Sequence, residues 1–539
     1  MHPIASASIE SLPNELLLPI LEACVVPSLF SVCKRWHHLL DSEAMPSLYK
    51  KIAQLHFPKG NATTQRTLML AKVYQLNPKL TSTEKVYQVF KQLFILAKSI
   101  SPLEFKWKTE EKRGLTLANY SSYLLSINRL LLWKKLFGGE EYLSREEIKH
   151  LSLEKKGELL RDWIEENCKN ITALGLSKTG LTYLPPEIGQ LPKLQMLELN
   201  QNQLTALPAE IGQLSQLTRL FLSRNQLTAL PAEIGQLSQL QWLDSSQNQL
   251  SSLPAEIGQL SQLRALYLNQ NQLTALPVGI GQLSQLQYLY LIQNQLTSLP
   301  AQIGQLSQLQ KLDLRENQLA SLPAEIGQLS QLRVLYLNQN QLTSVPAEIG
   351  QLPQLQKLKL NQNQLTALPA EIGQLSQLTR LFLSRNQLTA LPAEIGQLSQ
   401  LQMLELNQNQ LSSLPAEIGQ LSQLQYFCLN QNQLASLLAE IGQLPELQVL
   451  DLNQNQLTSL PAEIGQLSQL QWLDLSQNQI TSLPAGIEQL SQLQKLYLNQ
   501  NQLTSLPAEI WQLSELQVLE LAENPLKDIP EKIRQRFQL

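Results

Sequence analysis

The sequence predicts an α/β solenoid: about sixteen stacked coils whose parallel strands line the concave side of a horseshoe, preceded by an all-helical front. Three observations predict it. Asn recurs every 23 residues from Asn202 to Asn524, and Thr179 holds the same slot one coil earlier. Within one coil the apolar set Leu194, Leu197, Leu199, Leu204, Leu207, Ile211 and Leu214 fits neither a single amphipathic helix nor a single strand. The residues before about 170 lack this period and carry helical apolar spacing instead.

Each part of a coil follows from its residues. Leu197 and Leu199 alternate with Met196, Glu198 and Asn200, so a short strand turns its leucines inward and the intervening side chains outward. Pro208 suits the first position of a short helical segment on the outer flank, with Glu210 in its first turn. The Asn column satisfies backbone groups where each strand bends away, a structural need that returns once per coil. A lone coil cannot offset the entropy of ordering its chain, whereas stacked neighbours can. The departures are few: Ser245 and Phe427 occupy core-leucine slots, and Leu438 replaces the recurrent Pro. A stretch such as LQMLELNQNQLTALPAEIGQLSQ, from Leu194, resembles the leucine-rich repeat family, and the resemblance runs from about 171 to 539.

Composition excludes several function classes. The 539 residues are 43% hydrophobic and 16% charged, with a formal charge of −3. Residues 1–165 hold 23 basic against 17 acidic groups, leaving 18 against 27 in the remainder, and neither part has a basic run dense enough to track phosphates. No nucleic acid is expected as a partner. Cys24, Cys33, Cys168 and Cys428 form no CxxC pair, so neither a disulfide framework nor a metal site is indicated, and a reducing cytoplasm fits. The start lacks the flank and core of a secretory signal, and no run approaches the length of a membrane span.

Function is expected on the outward strand positions. There Trp242, Tyr267, Tyr288, Tyr290, Asp313, Arg315 and Tyr336 form a candidate partner-binding patch, because aromatic and Arg groups on a rigid sheet bury large area at low entropy cost. Aromatic residues are also simply good strand formers. Leu199–Gln241 is identical to Leu360–Gln402, which marks duplication as the source of length. Catalysis has little to work with: all five His residues (2, 37, 38, 56 and 150) precede the repeats, and no Gly-rich phosphate loop is present. No catalytic residue, cofactor or metal is assigned, and Cys428 reads as a free thiol.

Residues 53–150 read as a helical linker domain, in which STEKVYQVFKQLFILAKSI and YSSYLLSINRLLLWKKLF form a buried pair. Residues 151–170 read as a capping helix that shields the first coil with Leu159, Leu160, Trp163 and Ile164, and residues 525–539 as the closing cap after repeats over 171–524.

Residues 1–52 carry two apolar helical stripes. Leu16, Leu17, Ile20 and Leu21 make the first; Leu29, Val32, Cys33, Trp36, Leu39 and Leu40 make the second, on a helix expected to begin at Pro27 and Ser28. So short a segment cannot bury both stripes alone. LPNELLLPIL followed by SVCKRWHHLLDS resembles an F-box, with a middle segment a few residues shorter than the family usually has. The resemblance implies docking of a Skp-type adaptor of cullin ubiquitin ligases through Leu12, Pro13, Glu15, Leu16, Ile20, Leu21, Val32, Cys33, Trp36 and Leu40. Together with its near-pure repeats, the chain is similar to effectors that intracellular bacteria place in a host cytosol. The implied activity is that of a monomeric, non-enzymatic substrate-recognition adaptor, with a protein target on the concave face. A plain scaffold similar to plant Ras-group-related and Scribble-like proteins is the alternative, and a repeat-containing bacterial ubiquitin ligase with its own catalytic Cys is a weaker one.

Overall fold

The structure is a computed structural model that describes residues 13–23, 25–57, 63–100, 115–527, 529 and 531–537. It divides into two compact units, Met1–Leu260 and Ser261–Leu539.

The first unit opens with helices. α1 (Asn14–Ala23) is followed by a 3-10 turn (Pro27–Ser31), α2 (Lys34–Leu39), a π turn (Leu40–Ala44) and α3 (Met45–His56), so the chain is helical from Lys34 to His56. The second helix therefore starts later than the expected Pro27 and Ser28. Cys33 is the reason: its backbone is extended (φ −158°, ψ 165°), and its thiol caps α2 by accepting from the Trp36 N–H at 3.4 Å. α4 (Thr63–Val73), α5 (Ser82–Ile100) and α6 (Leu117–Trp133) pack with α3, and α5 buries Val86, Val89, Phe90, Leu93 and Ala97 as a helical stripe. Phe90 meets Tyr120 edge-on at 5.7 Å across α5 and α6. Among the described residues no helix is long and apolar enough to cross a membrane.

Two short helices, α7 (Gly139–Leu143) and α8 (Glu146–Lys149), lead to α9 (Leu153–Asn167), whose N-cap Ser152 accepts from the Lys155 N–H. α9 buries Leu160, Trp163 and Ile164 against α6 and the first coil, while Leu159 stays half-buried. Strands β1 (Ala173–Gly175), β2 (Met196–Glu198), β3 (Arg219–Phe221) and β4 (Trp242–Asp244) follow, and neighbours pair in parallel and in chain order.

The second unit continues the pattern with β5 (Ala265–Tyr267), β6 (Tyr288–Tyr290), β7 (Lys311–Asp313), β8 (Val334–Tyr336), β9 (Lys357–Lys359) and β10 (Arg380–Phe382). β11 (Met403–Glu405), β12 (Tyr426–Cys428), β13 (Val449–Asp451), β14 (Trp472–Asp474), β15 (Lys495–Tyr497) and β16 (Val518–Glu520) complete it, again parallel to their neighbours. The solenoid of sixteen strands at 23-residue intervals is thus the expected fold class. A final helix, α10 (Glu531–Phe537), lies against the last coil.

The outer flank of each coil is a five-residue 3-10 turn such as Ala209–Gln213. Pro208 is its N-cap, with extended ψ of 153°, and not the first helical residue as the sequence suggests. The Gly column keeps these turns close together: a Cβ on Gly350 would stand 2.3 Å from the Glu371 carbonyl oxygen of the next coil. The residue before each ladder position, Thr179 included, is left-handed, at φ between 54° and 60° from Lys178 to Glu523, although none is Gly.

The ladder itself is a closed hydrogen-bond circuit. Asn317 Nδ2 donates to the carbonyls of Leu291 (2.9 Å) and Leu314 (3.0 Å), and its Oδ1 accepts from the Leu296 N–H at 3.0 Å. Each such side chain ties its own bend to the preceding coil.

Candidate functional site

The outward strand positions of the second unit carry the most organised cluster of exposed and half-exposed side chains. Parallel pairing in register puts Tyr267 opposite Tyr290, Tyr290 opposite Asp313, and Asp313 opposite Tyr336. Strand spacing is close to aromatic stacking distance. The rings of Tyr267 and Tyr290 accordingly lie 4.7 Å apart and 8° from parallel.

From Tyr290 onward, cations alternate with rings. Lys311 Nζ lies 4.8 Å from the Tyr290 ring centre and 5.2 Å from that of Tyr336. Lys357 is 5.5 Å from both Tyr336 and Phe382, while Lys359 is 5.4 Å from Tyr336 and 4.7 Å from Phe382. Arg315 stands over Tyr336 at 5.2 Å and grips Asp313 with two bonds of 2.8 Å. Asp313 raises the Arg315 guanidinium above its ordinary pKa. Strand alternation places Asp313 outward, yet its side chain is 0% exposed beneath Arg315. It holds Arg315 in place and offers no free carboxylate. Tyr288 is half-buried on β6, and Trp242 is 37% exposed on β4 in the first unit.

Lys311, Lys357, Lys359 and Phe382 join Tyr290, Arg315 and Tyr336 of the second unit into one row. Their signal in the sequence is shared columns: each lies 23 residues from another outward-facing member. The duplicated copies show what neighbours do to an identical segment. Phe221 is half-buried, whereas its copy Phe382 is buried, with Lys357 and Lys359 over its ring.

The acidic end of the same unit holds its titratable groups under partial burial. Glu405 and Asp451 are raised in pKa, chiefly by burial; Lys359 and Lys357 oppose the shift at Glu405, and an Asn430 hydrogen bond opposes it at Asp451. Burial, with Asp451 and Glu405 adding to it, pushes the Cys428 thiol up to about 12, which leaves it un-ionised and a poor nucleophile at neutral pH. Among the described residues no cluster of His, Cys, Asp and Glu is arranged to hold a metal.

In the first unit, three side chains that the sequence reading passes over stitch the helices to the coils. Asn128 on α6 is buried, and its Oδ1 accepts from the N–H groups of Thr182 (3.0 Å) and Tyr183 (3.2 Å), as a ladder Asn would. Arg129 pairs with Glu187 at 2.6 Å. His56 is buried between the Tyr120 hydroxyl at 2.5 Å and the Thr205 hydroxyl at 3.2 Å, and burial lowers its pKa to about 4.

The front segment divides into inward and outward residues. Leu21, Trp36 and Leu40 are buried, and Cys33 is half-buried as the α2 cap. Pro13 and Glu15 are exposed, and Ile20 and Val32 keep 38% and 48% of their surface open. Leu12 and the side chain of Leu16 lie outside the described residues.

A run of strand, bend and 3-10 turn around a leucine core, with an Asn ladder at the bends, defines a repeat solenoid built as a protein-interaction scaffold. The chain belongs to the leucine-rich repeat family. The leucine-rich repeat region model matches residues 220–295, 278–344, 324–389 and 433–524, and the related leucine rich repeat model matches 169–227 and 376–434. A leucine-rich repeat protein of Leptospira interrogans is 47% identical over 69% of this chain and 96% of its own, with a TM-score of 0.61. The plant peptide hormone receptor RGFR1 in complex with RGF2 is 32% identical over 69% of this chain and 66% of the receptor, with a TM-score of 0.57. A TDR receptor is 28% identical over 68% of this chain and 66% of its own, with a TM-score of 0.58. The search of curated proteins found no match.

Proposed function

We propose that the chain is a non-enzymatic adaptor joining two proteins: a target held on the strand face from Tyr267 to Phe382, and a Skp-type subunit of a cullin ubiquitin ligase docked on α1 and the start of α2. The observation that carries the reading is the row of rings and cations, already in mutual contact without a partner. Solved relatives whose repeats match this chain include a receptor in complex with RGF2. The docking half is supported by the division of labour in the front segment. Leu21, Trp36 and Leu40 sustain the fold while Pro13, Glu15, Ile20 and Val32 face outward. The working parts are then 1–52 for docking, 53–150 and 151–170 as spacer and cap, 171–524 for the target and 525–539 as the closing cap. A monomer in a host cytosol suits this role, and joining ligase to target raises their effective concentration.

The test is capture of purified Skp-type adaptor by the full chain, against Ile20→Asp with Val32→Asp. Capture by the wild type and loss in the variant is the expected outcome. Absence of capture by the wild type leaves a repeat scaffold without ligase recruitment, a reading favoured by family matches that cover only residues 169–524.

A further inference from the structure

The outward columns of the second unit are electrically divided. Across β6–β10 the three outward positions of each coil supply Lys311, Arg315, Lys357, Lys359 and Arg380 against the single carboxylate of Asp313, which Arg315 already occupies. Across β11–β16 the same positions supply Glu405, Asp451, Asp474 and Glu520 against Lys495 alone. The charge of the face therefore reverses between Phe382 and Glu405.

In the basic stretch the cations lie over aromatic rings, and that pairing decides what it can hold. Tyr290, Tyr336 and Phe382 position Lys311, Lys357 and Lys359 over their rings. A ring face fixes an ammonium group without supplying an oxygen acceptor, so its N–H donors still call for one. Glu405, at the start of the acidic columns, feels the charge of Lys359 and Lys357 and is the carboxylate of this chain that competes for them.

We propose that β7–β10 bind an acidic segment of a polypeptide, its carboxylates on Lys311, Lys357, Lys359 and Arg380 and an aromatic neighbour extending the Tyr267–Tyr290 stack. The inference rests on the strand face being the target site, and it names the target's chemistry. Four strands at about 4.8 Å spacing span roughly 14 Å, which an extended chain crosses in about four to six residues. The acidic columns from β11 onward repel the same segment, so it is confined to one end of the face.

The experiment uses the full chain and a fluorescein-labelled peptide of about six consecutive glutamates closed by Phe, with the lysine counterpart and heparin as further probes. Fluorescence anisotropy is expected to show binding of the glutamate peptide that weakens as salt rises, and none of the lysine peptide. Lys357→Glu with Lys359→Glu is expected to weaken it by about tenfold or more, Lys357→Gln with Lys359→Gln by less, and Glu405→Gln to tighten it. Circular dichroism of each variant separates lost binding from lost folding. Equal binding of both peptides, an unchanged affinity in the Lys→Glu variant, or binding of heparin alone overturns the proposal. Capture of the target from host extract separates this failure from that of the target site. If Tyr267→Ser with Tyr290→Ser and Tyr336→Ser abolishes capture while excess glutamate peptide does not compete, the site stands and the acidic assignment falls. If neither affects capture, both fall.

Discussion

The rings of Tyr267 and Tyr290 are stacked at 4.7 Å and 8°, a separation set by the parallel pairing of β5 and β6. The scaffold itself thus pre-arranges a flat aromatic surface, and a partner loses little entropy of this face on binding. Stacked aromatic pairs contribute about 0.5–1.5 kcal/mol beyond their area. A double-mutant cycle with Tyr267→Ala and Tyr290→Ala is expected to return a coupling of about that size in urea unfolding of the full chain. Zero coupling would mean that the rings are neighbours by register only.

The Asn ladder predicts a larger and more local loss. Asn317→Leu orphans the buried Leu296 N–H and removes one of two donors from each of the Leu291 and Leu314 carbonyls, which keep Asn294 and Asn340. An orphaned buried group costs about 1–3 kcal/mol, so a loss of about that size is expected from the Leu296 N–H, with a smaller addition from the two weakened carbonyls. Hydrogen exchange at Leu296 is the direct readout. At Asn524, whose side chain is only part-buried beside Leu503, the same change is expected to cost less.

The coil was legible because its determinants repeat. Leucine alternation and the 23-residue Asn column define strand, bend and stacking together. What stayed hidden depends on contacts rather than periods. The outer turn is 3-10, with Pro208 as its N-cap, and keeps that form where Glu488 or Trp511 replaces the recurrent Gly, so the column's residue type does not announce it. Lys, Gln, Arg and Glu occupy the left-handed position at each bend, where propensity alone suggests Gly or Asn. Asp313 reads as outward by alternation and is buried because Arg315 folds over it. Asn128, Arg129 and His56 act across long sequence separations with no repeat to announce them.

The closing cap is tied to the last coil chiefly by hydrogen bonds from one side chain. Arg536 on α10 donates to the carbonyls of Leu513 (2.8 Å), Ser514 (2.8 Å) and Leu516 (2.7 Å), and Lys532 lies 4.2 Å from the Trp511 ring centre. Arg536→Ala is expected to destabilise the last coil by about 1–3 kcal/mol. Because each coil leans chiefly on its neighbours, hydrogen exchange should accelerate at Val518 and Leu519 and stay unchanged at Leu358. Acceleration throughout the unit would show that the cap sustains the whole array.

Acid should loosen the join between the front helices and the first coils. Burial lowers the His56 pKa from 6.5 to about 4, with Tyr120 and Thr205 on its two ring nitrogens and Tyr74 bonded to Tyr120. A depressed pKa in the folded state means that the unfolded chain binds the extra proton between about pH 4 and 6.5. Stability is therefore full above about 6.5 and falls as pH drops towards 4, by about 3 kcal/mol for a shift of this size. Carboxylates also titrate in this range, so the control is His56→Gln, which has no proton to gain. Urea unfolding followed by tryptophan fluorescence should show a steeper acid loss in the wild type than in the variant. Parallel pH profiles would mean that His56 is hydrated and titrates alike in both states.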